Sequence, residues 1–126
     1  MKLRTFFVVA VNALSVTPAL ACLEVVGAAD ITTGSLPWET FENVLYAYAV
    51  DNGVVTCDER FGISTDQNGN FALTCIPNFA FAFKKDLSFG WYSNPSNSFS
   101  FYLNPYVSAA GGSTIQWTFD DRMFGC

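Results

Sequence analysis

Three runs of this chain alternate with a period of two: Phe79-Ala80-Phe81-Ala82-Phe83, Ser98 to Leu103 (SFSFYL) and Thr114 to Phe119 (TIQWTF). Successive side chains of an extended strand point to opposite faces, so each run gathers its large residues on one side. In the first, three Phe face one way and two Ala the other. In the second, Phe99, Phe101 and Leu103 point inward, and in the third Ile115, Trp117 and Phe119 share a face.

Turn residues separate these runs from further β-rich ones. Asp51-Asn52-Gly53 lies between Val44 to Val50 and Val54-Val55-Thr56-Cys57, the strongest local signal for a hairpin. Residues 38–50 also carry helical spacing at Trp38, Phe41, Leu45 and Tyr48, with Ser35 and Pro37 able to open a helix. The turn that follows favours strand for 43–50. Val54 to Cys57 and Phe71 to Cys75 both end in Thr-Cys, and Asp66-Gln67-Asn68-Gly69-Asn70 between them reads as a second hairpin turn. Directly opposed Cys57 and Cys75 require a loop of roughly residues 64 to 68 or a bulge; otherwise the two lie on different strands joined by the fold. Cys22 to Ile31 and Leu87 to Tyr92 read as strands. Ile76-Pro77-Asn78, Ser93 to Asn97, Asn104-Pro105, Ala109 to Ser113 and Asp120-Asp121-Arg122 read as breaks or turns. The expectation is an all-β domain of about eight strands, a small antiparallel β-sandwich or β-barrel with two disulfides. Aromatic residues make up 17% of the chain, which supplies the bulky core that a small domain needs.

The start has the form of an export signal: Lys2 and Arg4, an apolar run from Phe6, and Ala19-Leu20-Ala21. Residues 1–21 are read as a signal peptide and 22–126 as a single mature, extracellular domain. Asn12 and Pro18 interrupt the apolar run, and no second run is long enough to span a membrane. The mature part keeps four basic residues, Arg60, Lys84, Lys85 and Arg122, against eleven acidic ones. That balance opposes nucleic-acid binding, which needs clustered Lys and Arg on phosphates.

All four cysteines fall in the mature part. An even count in a short exported chain reads as a disulfide framework with three possible pairings. Cys57–Cys75 with Cys22–Cys126 is favoured, because it staples the central stretch and fastens both termini. Zinc is disfavoured, since the chain has no His and no Cys-x-x-Cys. Absent His also removes Ser-His-Asp and Cys-His nucleophile systems. Carboxylate chemistry on a glycosidic bond would need a facing pair. Asp58-Glu59 and Asp120-Asp121 are adjacent, so in a strand their side chains diverge. Asp66-x-Asn68-x-Asn70 resembles half of a calcium loop but lacks its later glycine and glutamate, so a plain turn is preferred. No catalytic residue, metal or cofactor is assigned.

Binding is left. Trp38, Trp91-Tyr92 and Trp117 are aromatic candidates, and a strand through Trp91-Tyr92 must turn one ring away from the core. Asn94 and Asn97 sit close by. The candidate binding residues are Trp91, Tyr92, Asn94 and Trp117, against the alternative that the Trp are core residues. Asn94-Pro95-Ser96 is barred as a glycosylation sequon by its proline.

The exported start ending at Ala21-Cys22, Asp51 to Cys57, Asn70 to Cys75, Trp91-Tyr92, Phe99-Ser100-Phe101 and Phe124-Gly125-Cys126 together resemble small secreted fungal cysteine-stabilised proteins of the effector-like kind. The chain is loosely similar to the Alternaria major-allergen family of secreted β-barrels, with a Thr-Cys strand and a later Phe-Ser-Phe strand. The resemblance implies a non-enzymatic role at a host or cell-wall surface, with a protein or glycan as partner. A carbohydrate-binding, lectin-like or wall-associated protein is the alternative. A lectin-like chain would expose Trp91 or Trp117 on a flat or grooved face.

Overall fold

The computed structural model describes residues 22–36 and 38–124. The proposed signal peptide and Cys126 fall outside them. Among the described residues nine strands run in order: β1 Leu23–Thr33, β2 Thr40–Asp51, β3 Val54–Arg60, β4 Phe71–Ala72, β5 Ala80–Phe83, β6 Phe89–Ser93, β7 Ser98–Tyr102, β8 Tyr106–Gly111 and β9 Thr114–Met123. All described strand pairings are antiparallel. No helix is present among the described residues, and hence none long and apolar enough to cross a membrane.

The strands form two sheets, ordered β3-β2-β1-β9-β8 and β4-β5-β6-β7. Their inner faces meet in one core. Val25, Ala29, Ala47 and Phe119 of the first sheet pack with Phe81, Phe83 and Tyr92 of the second. The Phe83 and Phe119 rings meet edge to face across the gap, with centroids 5.3 Å apart. The arrangement is sandwich-like. The barrel alternative is corrected, because among the described residues no strand pairing joins one sheet's edge to the other's.

The β2–β3 hairpin turns where the Asn-Gly pair placed it, with Asn52 and Gly53 both at positive φ. Residues 38–50 are strand from Thr40 onward, and Trp38 stands outside it, largely exposed. Gly27 is required by packing. A Cβ there would lie 2.6 Å from the Phe119 ring, which rests over the glycine on the neighbouring strand.

Three further expectations change. The central hairpin does not form as one ladder: β3 belongs to the first sheet and β4 to the second. Residues 74–76 instead swing back against the β3 edge, where Asp58 N–H donates to Thr74 C=O (3.2 Å) and Ile76 N–H to Thr56 C=O (2.9 Å). Cys57 and Cys75 face each other in that bridge and are joined, with Cα atoms 4.0 Å apart. It is the one disulfide between described residues; the expected Cys22–Cys126 bridge ends on a residue outside them. Ala109 to Ser113 is not all loop, since Ala109–Gly111 completes β8 and the turn falls at Gly112-Ser113. Asp120 to Arg122 does not turn; it continues β9, held by pairing with Glu24 to Val26 of β1.

Candidate functional site

The strand through Trp91 and Tyr92 divides them as the period of two demands. Tyr92 points into the core and is 2% exposed; Trp91 points out of the second sheet and is 38% exposed. Pairing then decides what surrounds the indole. Across β5, β6 and β7 the register aligns Ala82, Trp91 and Ser100 in one row, and Ala80, Ser93 and Ser98 in the next. One bulky ring therefore rises from a face of methyls and hydroxyls. The step it makes leaves a shallow trough of about 450 Å³ lined by these six residues with Tyr92 and Phe99.

The other end of this face is aromatic. Phe89 and Tyr102 are paired across β6 and β7. Phe89 packs edge to face against both Trp91 and Tyr102, with centroids 5.2 Å away in each case. Phe89 thereby buttresses two rings, and Tyr102 is the more open of them at 79% exposure. Diagonal cross-strand neighbours such as Trp91 and Tyr102 lie about 7–8 Å apart at their Cα atoms. Such a surface can stack flat apolar faces on its rings and hydrogen-bond through its serines.

Tyr92 and Asn94 converge elsewhere, at one end of the sandwich. The Tyr92 hydroxyl donates to Asp51 Oδ2 (2.9 Å) and shares a 2.9 Å hydrogen bond with the Thr56 hydroxyl. Asn94 Nδ2 donates to the same Asp51 oxygen (3.1 Å), while its Oδ1 accepts the Ser96 and Asn97 amides and so folds the β6–β7 turn. Burial raises the Tyr92 hydroxyl well above the ordinary tyrosine range; the Asp51 carboxylate adds to this and the Thr56 bond opposes it. Asp51 and Asn94 line a cleft of about 320 Å³ with Asn52, Val54, Thr56, Phe79, Pro95 and Ser96. Tyr92 thus ties the two sheets together instead of presenting a ring to a ligand.

Trp117 sits on the inner face of β9, half-buried against the core, and shares no surface with Trp91. Of the four candidate residues, Tyr92 and Asn94 meet at Asp51, Trp91 forms the platform, and Trp117 packs against the core. Phe89, Tyr102, Ser93, Ser98 and Ser100 complete that platform and were not singled out by motif. A signal for them was present: the chain carries no Asp, Glu, Lys or Arg from Leu87 to Phe119.

The acidic doublets hold structure. Glu59 Oε1 accepts the Thr74 amide (2.7 Å), and the Asp121 carboxylate accepts the Asn104 side-chain and main-chain N–H groups. Asp120 meets Glu24 across β9 and β1. Desolvation first, then the hydrogen bond and negative charge of Glu24, raise its pKa, while Arg122 beside both lowers it. Asp66 Oδ1 accepts the Asn68 and Asn70 amides of its own turn, so that loop is a turn with its carboxylate already engaged. Compared with known proteins, the chain matches no family model, no curated protein and no solved structure.

Proposed function

We propose that this chain is an exported, non-enzymatic binding protein of a host or cell-wall surface, and that its ligand is a neutral glycan held on the outer face of the second sheet. One observation carries the reading: Trp91 stands exposed beside a trough bordered by Ser93, Ser98 and Ser100. A pyranose ring has a flat C–H face that stacks on an indole and a rim of hydroxyls that pairs with serine. The surroundings favour an uncharged sugar over an acidic one, because β6 and β7 lie within a run free of Lys and Arg. A disulfide between Cys57 and Cys75 fits an oxidising compartment, in line with export.

The test is a glycan array followed by titration calorimetry with soluble neutral oligosaccharides. Binding is expected, with affinity falling roughly tenfold or more in Trp91→Ala, which removes a stacking contact worth at least about 1.4 kcal/mol. Near-ultraviolet circular dichroism of the variant should match the parent. Array silence, or saccharide binding that Trp91→Ala leaves intact, would refute the glycan assignment.

A further inference from the structure

The two edges of the five-stranded sheet are treated differently. At β3, residues 74–76 cover the edge with two main-chain hydrogen bonds and the Cys57–Cys75 disulfide. That strand also carries Asp58, Glu59 and Arg60. At β8, no described segment pairs with the outer side, and all six residues are exposed. Its sequence, YVSAAG, has neither proline nor charge. A bare, apolar, uncharged edge is a template for another strand, and Lys, Pro or a covering loop are the usual ways to prevent that. β8 carries one bulge, at Ser108. The Ser108 hydroxyl accepts from Thr118 Oγ1 (2.7 Å) and donates to Gln116 C=O (3.3 Å), so the irregularity is satisfied on the β9 side.

We propose that β8 is a self-association edge, pairing antiparallel with β8 of a second copy to form a closed two-fold dimer. An antiparallel strand pair is self-complementary under a two-fold axis, as an isologous interface requires. The charge pattern favours a second copy. A chain with formal net charge −5 repels itself wherever charged faces meet, yet Leu87 to Phe119 carries no charge at all. Full overlap places the axis between Ser108 and Ala109. Tyr106 of each copy then lies opposite Gly111 of the other, where a Cβ position has open space around it. Exposed Val107 and Ile115 flank the seam. Six residues a side, against the roughly 20–30 of a standard specific interface, bury a small area, so the dimer is weak and concentration-dependent.

Sedimentation equilibrium of the oxidised protein, from low micromolar to near-millimolar concentration, tests this. A monomer–dimer equilibrium is expected. Ala109→Glu sets two like charges beside the axis and should weaken association at least roughly tenfold. Asp58→Ala, on the covered β3 edge, should leave it unchanged. Hydrogen exchange on the unmodified protein provides a second readout, with β8 amides gaining protection as concentration rises. A monomer throughout, a dimer indifferent to Ala109→Glu, or an open-ended series of oligomers would each overturn the proposal.

Discussion

Removing one oxygen, in Tyr92→Phe, tests how the two sheets are held in register. The hydroxyl makes a hydrogen bond to the Asp51 carboxylate and another to Thr56, both 2.9 Å. Net, the first is worth about 1.5–3 kcal/mol and the second about 0.5–1.5 kcal/mol. The loss is not the simple total. Asp51 is only partly buried and keeps the Asn94 amide, so water can replace part of what it loses. Thr56 cannot recover in that way. At 2% exposure its hydroxyl is left with the Cys57 sulfur at 3.9 Å, a weak partner. A destabilisation of about 2–3 kcal/mol follows, which for a domain of this size lowers Tm by about 10–20 °C. Urea denaturation of the oxidised protein measures it directly. The decisive comparison adds Thr56→Val and the double variant. Once Thr56 has no hydroxyl to leave unpaired, Tyr92→Phe should cost at least about 1 kcal/mol less than it does alone. A single variant within about 0.5 kcal/mol of the parent, or a strictly additive cycle, would refute the network as the tie between sheets.

Three further outcomes follow from packing and charge. Gly27→Ala drives a methyl into the Phe119 ring, which is fully buried and braced by Phe83, so thermal unfolding should register a loss of about 1–3 kcal/mol. Asp120, whose pKa is raised in the fold by burial and Glu24, stabilises the protein when protonated. Its contribution is present below the carboxylate's unfolded pKa and is lost as pH rises through the folded value. Asp120→Asn should therefore flatten the fall in stability as pH rises through and above the ordinary carboxylate range in a denaturation series. Asp86, held down mainly by the Ser88 hydroxyl, contributes in the opposite sense and loses its stabilisation as pH falls.

Alternation was the most legible signal. Phe81, Phe83 and Phe119 are buried where their runs placed them, because a period of two leaves one face for the core. The Asn52-Gly53 turn was legible for the same reason, since few residues tolerate its backbone. Long-range pairing was not legible. Two Thr-Cys strands with a turn between them look like one hairpin, but Phe71 pairs with Phe83 and Cys57 with Ala49. Nothing local distinguishes those partners. Ala109 to Gly111 reads as loop because small residues have weak strand preference, and it is strand because β9 lies beside it. At the candidate site, the outward ring of Trp91-Tyr92 could be foreseen as a choice of two. Its serine neighbours came from the β6–β7 register, which the alternation of Ser98, Ser100 and Tyr102 already contained. Asn94 lies close to Trp91 in sequence, whereas the turn it folds carries its amide to Asp51.

The first strand and the last strand are neighbours: Leu23 lies opposite Met123 along a ten-residue seam at the middle of the larger sheet. That sheet cannot close until β9 has joined β1, however early the N-terminal strands emerge. Folding must wait for the slowest kind of contact, one between segments far apart in sequence. On the proposed reading of an exported chain, such a delay would keep it pliable while it crosses the membrane.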